Sequence, residues 1–194
     1  MKDLISAIRN SSESGRSPLL ANITEIINRT PQSYQDFKQE FIRQGLVATH
    51  IASFIEILKG LDFVPPPSSE TIVGTHVYRG SGLPPAVVKK QGGFLCTGKS
   101  RSIFEHQKST GSSIYVGCSK DVTIAVEHAF QHTEKYVYKI GTNNGICVND
   151  FLFPYTGLHM EKEVVFAHRI PISQVLGYAI ISDFFETPQE FSPL

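Results

Sequence analysis

Between Val64 and Glu70 the chain reads "VPPPSSE", and the hydrophobic period before it differs from the period after it. Three consecutive prolines fix φ and carry no N–H donor, so no helix or central strand runs through them. The first sixty residues have the helical period. Leu19, Ile23, Ile26 and Ile27 recur at helical spacing, with Ser17 as cap, Pro18 in the first turn and Pro31 as stop. Tyr34, Phe37, Phe41 and Ile42 form a second stripe, opened by Ser33 and Asp36 at capping-box spacing and closed by Gly45. A third runs through Val47, Ile51, Phe54, Ile55 and Leu58 to Gly60, with His50 beside it as a packed or capping residue.

After the linker the period becomes two. The runs "THVYRG", "SSIYVG", "EKYVYKIG", "GICVND", "EVVFAHRIP" and "VLGYAIIS" are β-branched and aromatic, and Gly, Asn, Asp or Pro separates them. One helix, "KDVTIAVEHAFQH", interrupts them with Val122, Ala125, Val126 and Ala129 as its inward face. Six short strands with turn-rich connections predict an antiparallel sandwich with a helix at its side. The expected organisation is a helical region over 1–62, a Pro/Ser linker over 63–70 and an α+β domain over 71–194.

Composition narrows the function classes. Eighteen basic and eighteen acidic residues give a formal net charge of zero, which disfavours a large phosphate-tracking surface and hence a nucleic-acid partner. Cys96, Cys118 and Cys147 form no C-x-x-C pair, and no histidine lies near them in a repeated pattern. Reduced, mostly buried thiols and no metal are therefore expected. No stretch approaches the ~18 apolar residues of a membrane span, and the start lacks the apolar core of a cleaved signal. The reading is a monomer that folds in a reducing compartment, or leaves the cell by a route that reads no cleaved signal.

Within the second region, "MEKEVVFAHRIP" opens a strand-like run with Glu161, Lys162 and Glu163. Residues i and i+2 of a strand share a face, which would set the two carboxyl groups roughly 7 Å apart. Like charges on one face cost free energy unless a partner or substrate uses them. An isolated E-x-E also fits a solvated strand end, and the spacing alone leaves both readings open.

Four pieces of the region occur in a fixed order. Arg79 follows the aromatic strand "HVYRG", "GGF" and "IFEH" with His106 come next, Ser119 closes "YVGCS", and the paired glutamates stand near the end. In that order they resemble the mono-ADP-ribosyltransferase domain of the pertussis toxin, cholera toxin and heat-labile enterotoxin family. The densest similarity lies in "YVYKIGTNNGICVNDFLFPYTGLHMEKEVVFAHRIPISQVLGYAII", and the resemblance covers Val73–Ser182. It implies the split antiparallel β-sandwich ADP-ribosyltransferase fold for this part of the chain.

The resemblance also implies chemistry. Family members cleave the nicotinamide–ribose bond of NAD+, a co-substrate, and pass ADP-ribose to a protein side chain. It assigns stabilisation of the developing positive charge to Glu163, and orientation of the acceptor to Glu161. Arg79 and Gly80 are implied at the NAD site, with His106 and Ser119 ordering it. Phe153, Tyr155 and His159 are implied in the acceptor-recognition loop. Glu161 favours arginine as acceptor, with threonine or cysteine as the alternative, for instance on ubiquitin or a G protein. A host protein as partner and the host cytosol as site of action follow for a bacterial effector made in the bacterial cytoplasm. Two departures stand out. Gly117-Cys118-Ser119 replaces the family's Ser-Thr-Ser, with Cys118 in the place of the threonine, and "GSGLPP" replaces its Asp-Ser-Arg. They raise the alternatives of a weak NAD hydrolase or a catalytically silent descendant that binds a host protein.

Overall fold

The computed structural model describes residues 76–108, 110–150, 162–185 and 187–194, together with Asp36, Gln39, Arg43 and Val64. The three helices expected before the linker apart from Asp36, Gln39 and Arg43, the linker apart from Val64, and the acceptor loop with Phe153, Tyr155, His159 and Glu161 lie outside the described residues.

The alternating runs fold into strands as their period requires. β1 (His76–Ser81), β3 (Tyr115–Ser119), β4 (Tyr136–Gly141), β5 (Ile146–Cys147), β6 (Glu163–Ala167) and β8 (Val175–Ile180) form one six-stranded sheet in the order β5-β6-β3-β1-β4-β8. All of its neighbours pair antiparallel. A second, two-stranded sheet joins β2 (Gly93–Leu95) to β7 (Arg169–Pro171).

Two expectations are corrected here. The run "EVVFAHRIP" is two strands rather than one, because His168 adopts φ 68° and re-aims the chain. A left-handed residue breaks the pleat, so β6 stays in the large sheet and β7 leaves it for β2. Further, the helix α3 (Val122–Ala129) is joined by two others that the apolar period did not reveal: α1 (Pro85–Lys90) and α2 (Ile103–Lys108). Each spans six residues, too few for a periodic stripe. Local signals hold them. Pro85 sits at the first turn of α1, where its missing N–H is harmless, and Lys89 and Lys90 lie in the last turn, where cations suit the helix dipole. In α2 the Ser102 Oγ accepts from the Glu105 N–H, so "SIFE" is a capping sequence.

Strand alternation divides the core between the two faces of the large sheet. Val77, Tyr138, Ile140, Val116 and Val164 meet Val88 of α1, Phe94 of β2 and Ile170 of β7 on one face. On the other face Val137 packs with Ala125, Val126 and Ala129 of α3. This second contact requires glycine at position 80. A Cβ there would stand 2.1 Å from the Ala125 carbonyl oxygen and 2.5 Å from the Ala129 nitrogen.

The large sheet is poorly zipped at its middle. β1 pairs with β4 through six residue pairs and β3 with β6 through five, but β1 and β3 share only Tyr78–Ser119. The strands part beyond that pair, and backbone groups that would otherwise bond to each other need other partners.

Candidate active site

A cleft of about 310 Å³ lies along this parting, lined by Arg79, Gly80, His106, Gly117, Ser119 and Glu163 among others. Its volume falls in the range of small-molecule sites. The fold thus brings Arg79, Gly80, His106, Ser119 and Glu163, the described members of the expected site, to one place.

Arg79 is the fourth residue of β1, and its guanidinium bridges the opening between the strands. Nη1 donates to the Gly117 carbonyl at 2.5 Å, and the guanidinium carbon stands 5.1 Å from the centroid of the Phe94 ring. Phe94 is itself held edge-on by Tyr138, with ring centroids 4.9 Å apart. Burial pushes the Arg79 pKa down, while the neighbouring Cys118 and Glu163 push it up. Arginine remains charged under any ordinary condition. Its Nε is buried and has no hydrogen-bond partner among the described residues. A buried, charged donor without a partner is costly, and an acidic or hydroxyl-rich ligand in the cleft would relieve that cost.

Glu163 opens β6 opposite Ser119 and is 8% exposed. Its Oε1 lies 3.0 Å from His106 Nε2, and its Oε2 accepts from the Gln107 side-chain amide. Behind the imidazole, Nδ1 lies 2.5 Å from Ser113 Oγ. A carboxylate oxygen has no proton to give, so His106 must carry hydrogen on Nε2. In the neutral ring Nδ1 is then an acceptor for the single Ser113 hydroxyl hydrogen, for which the Thr110 carbonyl at 3.3 Å is the longer, competing acceptor. Ser113 Oγ also accepts from the Tyr115 N–H, which fixes the hydroxyl's position. Tyr115 stacks edge-on to the imidazole at 5.6 Å and donates its own hydroxyl to the Arg101 carbonyl. Ser113, His106 and Gln107 therefore aim one carboxylate with both of its oxygens engaged.

Gln107 and Ser113 were not among the expected site residues. Gln107 adjoins His106 on α2, and the "SIFE" capping sequence that would have marked this helix was available in the sequence. Nothing local marks Ser113, whose role depends on a contact made across the fold.

The remaining expectations are modified by the geometry. Ser119 does lie opposite Glu163, but its Oγ accepts from the Asp121 N–H and so shapes the turn into α3. Cys118 is buried against the core, and desolvation raises its thiol to about 12, partly offset by the Arg79 charge. It is an inert core thiol at neutral pH. Gly80 lines the cleft because α3 lies directly on it. Lys162 sits at φ 47° and its ammonium pairs with Asp121 Oδ2 at 3.1 Å, while its carbonyl accepts from the Lys120 N–H. The strand begins only at Glu163, and the left-handed Lys162 before it stands outside the pleat.

The family model for the heat-labile enterotoxin alpha chain matches residues 63–187. The chain belongs to the heat-labile enterotoxin alpha chain family. Solved structures of the family's fold agree. A variant of the Scabin toxin from Streptomyces scabies is 25% identical, covering 62% of this chain and 73% of that one at a TM-score of 0.53. A heat-labile enterotoxin from E. coli, mutated at a buried residue, is 23% identical and covers 61% of this chain and 75% of that one at 0.50. Scabin in complex with NADH is 25% identical, covering 55% of this chain and 64% of that one at 0.49. This chain thus spans just under two thirds of the NADH-bound toxin. No curated protein sequence matches. The mixed α/β architecture with its largely antiparallel sheet is that of the toxin ADP-ribosyltransferases.

Proposed function

We propose that this chain is an NAD+-dependent mono-ADP-ribosyltransferase acting on a protein side chain. The observation that carries the reading is the buried Glu163 carboxylate, engaged at both oxygens and set in the same cleft as the bridging Arg79 guanidinium. Membership of the enterotoxin alpha chain family supports it.

The reaction breaks the bond between the nicotinamide nitrogen and ribose C1′, the bonding pair returning to the ring nitrogen. A fixed carboxylate in a water-poor cleft stabilises positive charge growing at C1′, which is the part we assign to Glu163. His106 and Gln107 keep that charge from rotating away, and Ser113 holds the His106 tautomer that makes this possible. Arg79, with its buried Nε, would hold the phosphates or ribose of NAD+. The acceptor then forms its bond to C1′ and loses a proton, for which we propose Glu161 as base. That assignment rests on the resemblance to the arginine-modifying members of the family and favours arginine over threonine or cysteine. Phe153, Tyr155 and His159 are proposed to meet the acceptor. The acceptor is proposed to belong to a host protein, with the host cytosol as the place of action of a secreted bacterial effector.

Glycine at position 117 does not by itself argue for a silent descendant, because other side chains engage the carboxylate. Incubation with isotopically labelled NAD+ and a host-cell lysate tests the reading. Label entering protein with wild type and not with Glu163→Gln supports transfer. Nicotinamide release without protein labelling indicates water as acceptor, and the absence of both labelling and release refutes the enzyme reading.

A further inference from the structure

Residue 117 stands where the family pattern has a serine, and its empty space is already filled. A Cβ on Gly117 would lie 2.8 Å from Glu163 Oε1 and 3.5 Å from His106 Nε2. The first distance is well inside van der Waals contact, so a side chain there would displace the carboxylate from its bond to His106. The second oxygen is engaged from a different direction, by the Gln107 amide on α2. Gln107 and His106 are adjacent in sequence, yet they reach the two oxygens of one carboxylate.

We propose that Gln107 is a positioning residue that supports Glu163 in this chain, and that glycine at position 117 leaves room for the carboxylate in the place where Gln107 and His106 hold it. The proposal deepens the transferase reading above and rests on it. Two donors at fixed points define both the location and the rotation of a carboxylate, whereas a lone His106 contact leaves it free to turn about that bond. The amide has a further consequence. It offers Oε2 an N–H donor that cannot itself become an acid or base under assay conditions, so it orients charge without exchanging protons. Positions 107 and 117 should then behave as one functional unit and be strongly non-additive.

The test is steady-state nicotinamide release by four purified proteins: wild type, Gln107→Met, Gly117→Ser, and the double variant. Gln107→Met keeps the length and bulk of the side chain and removes only the donor. Its kcat should fall by about 10- to 100-fold, the usual scale for losing a hydrogen bond to a charged group, with KM for NAD+ within about 3-fold. Gly117→Ser alone should also be impaired, because the added side chain meets Oε1. The double variant should recover activity over Gln107→Met, since a serine hydroxyl then supplies a donor to a carboxylate free to shift. An unchanged kcat in Gln107→Met overturns the proposal. So does a raised KM with kcat intact, which would make Gln107 an NAD-binding residue. Failure of Gln107→Met to fold, seen as loss of the cooperative thermal transition, assigns Gln107 to stability and overturns it too. If wild type itself releases no nicotinamide, the transferase reading fails, and the contact is judged separately by NMR. The Gln107 side-chain amide resonances should then shift in Glu163→Gln, and their constancy overturns the proposed pairing.

Discussion

His106 Nε2 lies 3.0 Å from Glu163 Oε1, and the two residues are separated by 57 positions in the chain. Both are buried, and the imidazole is backed by Ser113 on its other nitrogen. Replacing Glu163 by glutamine keeps the shape and removes the charge. Nicotinamide release should fall by about 10²–10³, the scale seen when one preorganised electrostatic group is lost. Activity within a few-fold of wild type would remove Glu163 from the chemistry.

Ser113→Ala removes the group facing His106 Nδ1 and the acceptor for the Tyr115 N–H. The imidazole is then no longer held to the tautomer with hydrogen on Nε2. A loss of about 10-fold in kcat is expected, the order of one net hydrogen bond, with Ser113→Thr retaining more activity than alanine. Equal activities for the two variants would dissociate Ser113 from the site.

Gly80→Ala tests the packing beneath the cleft. The new methyl would overlap the Ala125 carbonyl and the Ala129 nitrogen, so α3 must move off β1. Overpacking of this kind costs about 1–3 kcal/mol, to be read as a lower urea midpoint. An unchanged midpoint would mean that α3 yields at no cost.

These local constraints bear on how far the sequence alone could be read. Period-two runs mark six of the eight strands among the described residues, since alternation of Val77 with Tyr78 or Val137 with Tyr138 follows from burial on two faces. β2 was missed because three residues carry no period, and β7 was merged with β6 because nothing in "FAHRIP" announces a left-handed histidine. Arg79, His106 and Glu163 were legible through the ordered resemblance. Gln107 and Ser113 were not, because their roles arise only when α2 folds against β6 and β3.

Cys118 provides a chemical test of burial. With its thiol raised to about 12, only ~10⁻⁴ of it is thiolate at pH 8. Timed alkylation of the native protein, read by peptide mass spectrometry, should modify the half-buried Cys96 first and leave Cys118 protected until unfolding. Modification of Cys118 at the rate of Cys96 would contradict the packing described.

The Lys162–Asp121 pair predicts a small pH dependence of stability. The hydrogen bond from Lys162, followed by the Thr123 N–H bond, holds the Asp121 carboxyl below its ordinary value. A depressed carboxylate contributes stability above its unfolded pKa of ~3.9 and loses it as pH falls through the lower folded value. Because the pair is largely exposed, Lys162→Met should cost no more than about 0.5–1 kcal/mol at pH 7. The difference from wild type should vanish in urea titrations near pH 2. A gap that persists at that pH would assign the effect to the backbone at residue 162 rather than to the charge pair.

The most direct test of the account is intact-protein and peptide mass spectrometry of host proteins after reaction with NAD+. Wild type should add one ADP-ribosyl group to a defined side chain, with arginine the expected linkage, and Glu163→Gln should add none. Modification that proceeds equally with Glu163→Gln, or no modification accompanied by no release of nicotinamide, would contradict it.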